Sequence, residues 1–423
     1  MQLIQFQVQK TMTKSIVKYE YQSLYVGENG FTNKHWEALV KLNSLHQNTY
    51  FDIINKGIRF KEHVGIIQID GLSIEIHPKA DRESKGKQWK NVLLSMLQAC
   101  NRLSPKSAGA ANVNRRNLNL LEIYFELFIT EIETLLHQGL IKKYRKETKN
   151  VFALKGKLEF AGNIRKNTIH KERFYTTHQV YDKNHTIHQI LAVALEIVSK
   201  VNKASYLASK IAIARFSFPE VKKIKVTAET FDKIHFSRKE KPYTYALELA
   251  RLIILNYSPD ISTGREKMLS LLFNMNDLWE EYVLVMLRKH LLKINSDWQV
   301  TGQESKSFIQ GHSLRPDIVL RNAEQTIIID TKWKLGNQYI SVQDLRQVYT
   351  YGRYWNAEKV MLLYPGITKT KFETFADELD NPQITCKTGF VSVIDENGDL
   401  DKSIGEKVIE LLGLYKFFDK AIQ

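Results

Sequence analysis

Two short apolar runs separated by a polar turn constrain the fold of this chain more than any other feature of its sequence. The stretch LRPDIVLRNAEQTIIIDTKWKL covers residues 314–335 and places RNAEQ between the two runs. This pattern is typical of an antiparallel hairpin, in which the centre of the turn lies between Ala323 and Glu324. Asp317 and Asp330 are equally far from that centre. A regular hairpin therefore makes these two carboxylates cross-strand neighbours.

A lysine joins the two carboxylates on the second strand. Asp330 and Lys332 are two positions apart, so their side chains lie on the same face of a strand. The alternative interpretation is a charged pair on a solvated sheet face, which is common in proteins of every kind. The run of Ile327, Ile328 and Ile329 favours the functional interpretation, because it is typical of a buried strand that ends at Asp330.

Two carboxylates and an ammonium group at one end of a sheet suit the hydrolysis of a phosphodiester. Mg²⁺ prefers oxygen ligands and completes its coordination shell with water and phosphate oxygens. A bound metal ion polarises the phosphate and acidifies a water molecule, and a lysine can position that water or help to remove its proton. We therefore expect Asp317 and Asp330 to bind Mg²⁺ and Lys332 to act on the attacking water. An upstream helix offers Glu280 or Glu281 as a further carboxylate.

These residues resemble the motifs of the PD-(D/E)xK nuclease superfamily. Residues 316–317 match its PD, and residues 330–332 (DTK) match its (D/E)xK. Downstream, Gln347 and Tyr351 match the QxxxY motif of the RecB-like branch of that superfamily. On the helix predicted near 341–355 these two residues are four positions apart, hence on one face. The resemblance implies that both support the active site.

The resemblance extends beyond the nuclease motifs to the McrC family, the nuclease subunits of McrBC modification-dependent restriction systems. Residues 64–79 (VGIIQIDGLSIEIHPK) and 154–167 (LKGKLEFAGNIRKN) resemble signatures of that family. Residues 278–283 (LWEEYV) resemble the helix that precedes its nuclease core. This match favours Glu280 over Glu281 as the active-site glutamate and as a third metal ligand.

The resemblance implies a Mg²⁺-dependent DNA endonuclease subunit that acts on DNA carrying 5-methylcytosine, in defence against viruses. It also implies a partner, an AAA+ GTPase ring of the McrB type, which binds the GTP and whose GTPase this chain stimulates. The sequence contains no GxxxxGK[ST] phosphate-binding loop, in agreement with that division of roles. Two alternatives remain open: a non-catalytic adaptor that activates an AAA+ motor, and a stand-alone repair nuclease of the same fold.

The mixed order of helical and strand patterns predicts an α/β chain of the α+β type with several domains. We expect an N-terminal β-rich domain (1–105), a mixed partner-docking region (106–264) and a nuclease domain (265–423), whose mixed sheet is flanked by helices. A long helix is predicted over 265–293 and carries Glu280. In the N-terminal region, Asp70-Gly71 between two apolar runs predicts a two-residue hairpin turn.

The charge of the chain limits its partners. Lys and Arg number 61 against 46 Asp and Glu, and the resulting net charge of +15 favours a polyanion such as double-stranded DNA. Residues 142–149 and 163–167 are basic and are candidates for contact with DNA or with an acidic ring surface, the alternative being a solvated lysine-rich face. Arg165 is a candidate for the nucleotide site of the partner. Two cysteines and the lack of a long apolar run predict a cytoplasmic protein without membrane contact.

Four histidines lie close together in the sequence, at positions 170, 178, 185 and 188. A zinc site is one interpretation, but no cysteine accompanies them. Packing and helix capping are therefore the favoured roles.

Overall fold

The computed structural model describes most of the chain. Its described residues are 14–69, 72–78, 88–100, 120–259, 267–334, 340–367, 372–375 and 384–414. No helix within these ranges combines the length and the apolar character that a membrane crossing needs.

The chain divides into two compact units. Unit 1 comprises residues 1–65, 72–116 and 272–423, and unit 2 comprises residues 66–71 and 117–271. The N-terminal segment therefore belongs to the same unit as the C-terminal third of the chain. The three-domain division expected from the sequence stays a prediction.

Unit 1 begins with strands and two helices and continues after unit 2 with a second set of elements. The first set, whose fifth strand runs on into unit 2, consists of β1 (Lys14–Tyr19), β2 (Ser23–Tyr25), α1 (Asn33–Leu45), β3 (Phe51–Ile54), β4 (Gly57–Phe60), β5 (His63–Ile69), β6 (Leu72–His77) and α2 (Gln88–Ala99).

Unit 2 is richer in helices. Its elements, the last of which runs on into unit 1, are α3 (Leu120–Gln138), β7 (Lys143–Val151), β8 (Lys157–Leu158), α4 (Phe160–Asn167), β9 (Phe174–Asp182), α5 (Thr186–Val201), α6 (Ser205–Ser217), α7 (Ala228–Asp232), α8 (Thr244–Leu255), β10 (Tyr257–Pro259) and β11 (Lys267–Asn274).

The second set of unit 1 contains the predicted hairpin. Its elements are α9 (Met275–Lys293), β12 (Gln299–Gly302), β13 (Lys306–Ile309), β14 (His312–Leu314), β15 (Ile318–Arg321), β16 (Thr326–Thr331), α10 (Val342–Trp355), β17 (Lys359–Pro365), β18 (Phe372–Thr374), β19 (Thr385–Val391) and α11 (Ile404–Leu411). The mixed α/β character predicted from the sequence is confirmed.

The helix predicted over 265–293 is wrong in its first part. Residues 267–274 form strand β11, and helix α9 begins only at Met275. Four consecutive residues, 268–271, are buried, and such a run does not distinguish a buried strand from a buried helix. The helix begins where the side chain of Asn274 accepts a hydrogen bond from the backbone N–H of Asn276, which satisfies a donor of the first turn.

The predicted turn at Asp70-Gly71 lies outside the described residues. The strands on either side of it are present, since β5 ends at Ile69 and β6 begins at Leu72. β6 pairs in parallel with β1.

A six-stranded mixed sheet forms the centre of the C-terminal part, in the order β12-β15-β16-β17-β19-β18. β15 and β16 pair antiparallel with Ile318 opposite Ile329, which confirms the predicted hairpin and its register. Continued by one residue, this register places Asp317 opposite Asp330. β16 and β17 pair in parallel, so β16 is an interior strand of the sheet.

Helix α10 covers one face of this sheet. Its residues Val348, Tyr351 and Trp355 are buried in one apolar cluster with Ile328 of β16 and Leu362 of β17. The helix begins at Val342 and ends at Trp355, close to the predicted bounds. This packing fixes the face of α10 that turns towards the ends of β15 and β16.

Replacing Gly352 by Ala should destabilise unit 1, because α10 lies very close to the sheet at this residue. An added Cβ would lie 2.9 Å from Cδ1 of Ile384 and 3.1 Å from Cγ1 of Val360. Overpacking of this kind costs about 1–3 kcal/mol. Denaturant unfolding measures the change, with Arg346→Ala at an exposed position of the same helix as the control. Equal stability of Gly352→Ala and the wild type would show that the helix shifts without cost.

Candidate active site

The β15–β16 hairpin delivers two acidic side chains to one end of the sheet. Asp317 directly precedes β15, and Asp330 is the penultimate residue of β16. Asp330 is 1% exposed, because its strand has neighbours on both sides. Asp317 is partly exposed. The cross-strand arrangement expected from the sequence is thus present, with one carboxylate in the sheet interior and the other nearer to water.

Thr331 fixes the orientation of Asp317. The backbone N–H of Thr331 donates a hydrogen bond to Oδ2 of Asp317 at 2.7 Å, and its hydroxyl donates to the same oxygen at 2.9 Å. Neither bond uses Oδ1 of Asp317. Thr331, the middle residue of the DTK motif in strand β16, therefore holds the carboxylate of Asp317.

A continuous series of polar contacts joins the second strand to α10. Nζ of Lys332 lies 2.5 Å from Oδ2 of Asp330 and donates a hydrogen bond to Oε1 of Gln347 at 3.1 Å. The side-chain amide of Gln347 in turn donates to the hydroxyl of Tyr351 at 2.9 Å. The buried phenol of Tyr351 therefore orients the amide of Gln347, which holds the lysine against Asp330.

Glu280 reaches the site through a residue that the sequence did not indicate. The side-chain amide of Gln303 donates a hydrogen bond to Oε1 of Glu280 at 2.6 Å. The backbone N–H of Gln303 donates to the carbonyl oxygen of Asp317 at 2.9 Å. Gln303 has a φ of +52°, a backbone conformation that a non-glycine residue adopts at a cost. An isolated Gln after a short strand carries no sequence signal for this role.

Burial and neighbouring carboxylates make the ionised form of the acidic residues in the site less favourable. Burial and the nearby Asp317 raise the pKa of Asp330 to about 7. The same two causes raise the pKa of Glu280 to about 7. Burial also raises the pKa of Asp317, against the hydrogen bonds from Thr331. Negative charge is therefore crowded here beyond what the protein itself compensates.

The lysine of the site is held in its charged form. Burial lowers the pKa of Lys332, but the carboxylates of Asp330 and Asp317 more than offset this effect, and the pKa lies above its ordinary value. The ammonium group of Lys332 therefore donates hydrogen bonds as a cation at neutral pH.

The donor set is compatible with Mg²⁺. Within the described residues no three His, Cys, Asp or Glu side chains come together closely enough to enclose an ion. Mg²⁺ needs no such enclosure, since it is usually held by one or two carboxylates with water and substrate phosphate. Asp317 and Asp330 provide hard oxygens at one sheet end, and their mutual repulsion is of the kind that a divalent cation relieves.

A second ion pair borders the site and was also missed from the sequence. Nζ of Lys334 lies 2.7 Å from Oδ2 of Asp344, a buried residue in the first turn of α10. The backbone N–H of Asp344 donates to the hydroxyl of Ser341, the N-cap of that helix. This pair joins the segment after β16 to the start of α10.

Two of the four neighbouring histidines, His185 and His188, are packing residues. His185 and His188 are buried, with ring centroids 4.0 Å apart. Nδ1 of His188 lies 2.7 Å from the carbonyl oxygen of Lys183, and burial lowers the pKa of His188 to about 4. The favoured packing role of this pair is confirmed.

Most of the sequence is similar to components of McrBC restriction systems. A family model described as McrBC 5-methylcytosine restriction system component matches residues 58–365. A curated relative, the Type IV methyl-directed restriction enzyme EcoKMcrBC of Escherichia coli (strain K12), is 21% identical in an alignment of 272 residues that covers 59% of this chain and 78% of the relative.

Two solved structures share the fold. One is a refined half-complex from a tetradecameric assembly of Thermococcus gammatolerans McrB AAA+ hexamers with bound McrC, which matches with a TM-score of 0.70 at 18% identity, over 95% of this chain and 100% of the matched chain. The other is a cryo-EM structure of the McrBC complex of the same organism, with a TM-score of 0.50 at 19% identity, over 66% and 88% of the two chains.

Replacing Glu280 by Gln should stabilise the metal-free protein, and the gain should depend on pH. The pKa of Glu280 is about 7 in the folded protein, against an ordinary value of 4.5. Between these values the folded state keeps a proton that the unfolded chain has lost, so the free energy of unfolding of the wild type falls as the pH rises. Solvent screening of this partly exposed group limits the gain to roughly 1 kcal/mol.

Thermal unfolding in EDTA at pH 5 and pH 8 measures this gain. Glu281→Gln, one residue along the same helix, is the matched control. A gain of equal size for both variants would contradict the assignment of the effect to the crowded carboxylates.

Proposed function

The chain belongs to the family of McrBC 5-methylcytosine restriction system components, and from this membership we propose that it is the Mg²⁺-dependent DNA endonuclease subunit of such a system. The observation that carries the proposal is the contact of Lys332 with both Asp330 and Gln347 at the sheet end where Asp317 also lies. An acidic pair, a cation and a polar helix face in this arrangement correspond to the motifs of PD-(D/E)xK nucleases.

Each residue has a distinct role in the proposed reaction. Asp317 and Asp330 would hold the metal ion, which supplies charge stabilisation and an acidified water when it is bound. Glu280, expected from the sequence as a third ligand, forms no three-carboxylate group with them within the described residues and would support the site through its hydrogen bond from Gln303. Lys332 orients the attacking water through its ammonium protons. Gln347 keeps Lys332 in place.

DNA is the proposed substrate. The net charge of +15 favours association with a polyanion, and phosphate contacts supply most of the sequence-independent affinity of such complexes. As the family description names 5-methylcytosine, we propose DNA carrying this base as the substrate of the complete system.

The proposed partner is an AAA+ ring of the McrB type, which binds the GTP and whose GTPase this chain would stimulate. One solved structure of similar fold is a half-complex from an assembly of McrB AAA+ hexamers with bound McrC, and another is a McrBC complex. The β7–β9 segment, which we define as residues 143–182 of unit 2, offers a surface for such a partner. It carries ten basic and four acidic residues.

The β7–β9 segment also exposes large apolar side chains. β7 pairs with β9 along its whole length, yet none of its side chains is fully buried. Phe160 and Ile164 of α4 are 73% and 69% exposed, and Ile169 after the helix is 87% exposed. Apolar side chains grouped in this way mark interaction surfaces, since monomeric proteins rarely expose them together. The basic residues around them suit an acidic partner surface.

Replacing Lys332 by Met should reduce cleavage of methylated DNA about 100-fold or more, because removing one preorganised hydrogen-bond donor from a reacting centre costs about this much in rate. The partner's GTP hydrolysis should be unaffected. Both are measured in one reaction with Mg²⁺, GTP, methylated plasmid and the AAA+ partner. Lys334→Met is the matched control, since this neighbouring lysine pairs with Asp344 instead of Asp330.

DNA cleavage and GTP hydrolysis together distinguish the proposed nuclease function from its alternatives. Cleavage by the wild type and by Lys334→Met, but not by Lys332→Met, supports the proposed nuclease site. Stimulated GTP hydrolysis without cleavage by the wild type, on methylated and otherwise modified DNA, would support the adaptor function. Cleavage without the AAA+ partner would support a stand-alone nuclease.

Replacing Phe160 and Ile164 by Asp should weaken binding of the AAA+ partner at least about 10-fold, because charges would enter the apolar part of the interface. Stability of the free chain should be unchanged, since both side chains are exposed. Phe216→Asp in α6 of the same unit, which is 93% exposed and lies outside the β7–β9 segment, is the control. Binding is measured by sedimentation with a non-hydrolysable GTP analogue, and equal affinity of all variants would rule out this surface.

A further inference from the structure

A fully buried carboxylate near the N-terminus contacts the strand that carries the candidate active site. Glu20, directly after β1, is 0% exposed, and its Oε2 accepts a hydrogen bond from the indole N–H of Trp333 at 3.1 Å. Trp333 directly follows Lys332 in the sequence. Burial of a carboxylate is costly unless it is hydrogen-bonded, so this contact is built into the fold. No residue in the proposed reaction uses Glu20.

Trp333 is the centre of an aromatic cluster that reaches the other side of the site. Its ring centroid lies 5.8 Å from those of Trp89 in α2 and Trp279 in α9. Trp279 directly precedes Glu280. Of the three indoles, only that of Trp333 has a hydrogen-bond partner for its N–H within the described residues. The cluster therefore joins the neighbours of two candidate active-site residues, and Glu20 fixes its central ring.

The N-terminal segment holds α9 at a second point. The backbone N–H of Met275, the first residue of α9, donates a hydrogen bond to the carbonyl oxygen of Glu62 at 3.0 Å. Glu20 and Glu62 thus belong to the same N-terminal part of unit 1 and contact the two segments that carry Lys332 and Glu280.

We propose that Glu20 is a positioning residue for the nuclease site, acting through the indole of Trp333 on the placement of Lys332 and, through Trp279, of Glu280. The proposal rests on the proposed nuclease function. The hydrogen bond sets the rotation of Trp333, whose backbone continues directly from the residue that contacts Asp330. Without this hydrogen bond the indole ring of Trp333 can turn within the cluster. The segments that carry Lys332 and Glu280 then lose a fixed neighbour.

The test uses the full-length chain with its AAA+ partner and four variants. Glu20→Leu keeps the volume but removes the acceptor, whereas Glu20→Gln keeps both the shape and an acceptor. Trp333→Phe keeps an aromatic ring but removes the donor, and the double variant Glu20→Leu/Trp333→Phe completes a double-mutant cycle. Trp298→Phe is the matched control, because Trp298 is buried and its N–H has no hydrogen-bond partner within the described part of the chain.

We expect kcat for DNA cleavage to fall about 10-fold in Glu20→Leu and in Trp333→Phe, as is usual for residues that orient the active-site residues without touching the substrate. KM for DNA should stay within about twofold, and the double variant should be no slower than either single variant, because both remove the same bond. Glu20→Gln and Trp298→Phe should retain wild-type kcat. Near-UV circular dichroism should change in Glu20→Leu, because the environment of Trp333 changes, but not in Glu20→Gln.

The results separate this proposal from the nuclease function itself. Wild-type kcat in Trp333→Phe, or additive losses in the double variant, would overturn the positioning role while leaving the nuclease function intact. If Glu20→Leu does not fold, Trp333→Phe against Trp298→Phe decides the question. If the wild type does not cleave DNA, the nuclease function fails, and the affinity for Mn²⁺ decides the positioning role: weaker binding by Trp333→Phe but not by Trp298→Phe supports it, and equal binding overturns it.

Discussion

The ion pair between Asp330 and Lys332 is the interaction on which the candidate active site depends. Asp330 is buried near the end of an interior strand, and Lys332, two positions later and partly exposed, extends from the same face. In this environment the carboxylate is disfavoured by burial and by Asp317, so the ammonium group is its necessary partner. Gln347 and Tyr351 then keep the ammonium group in place. The site thus combines crowded carboxylates with a well-held ammonium group, an arrangement compatible with a divalent metal ion.

The hairpin and its register could be predicted because they follow from local periodicity. Side chains alternate along a strand, and a short polar turn fixes the pairing, so two aspartates equally far from the turn must meet. The relation between Gln347 and Tyr351 followed in the same way from the spacing of a helix. Each of these inferences involves residues within one or two neighbouring elements of the sequence.

The remaining parts of the site depend on contacts between distant segments. Gln303 joins Glu280 to Asp317 through one backbone and one side-chain hydrogen bond, and neither follows from a pattern around residue 303. Glu20 and Trp333 meet across more than 300 positions of the chain. Residues 267–274 form a strand where the sequence predicts a helix, because a short buried apolar run is compatible with both. Sequence periodicity describes one element at a time, whereas these features arise from the packing of several.

The division of unit 1 between the two ends of the chain has a consequence for biosynthesis. A ribosome makes Glu20 and Glu62 early, but the residues that they contact emerge only after the whole of unit 2. Residues 117–271 form most of a compact unit and can fold while the polypeptide is still attached. The candidate active site, in contrast, can form only when the last third of the chain has been made. A truncated translation product that ends after residue 271 would therefore contain the β7–β9 segment but none of the candidate active-site residues.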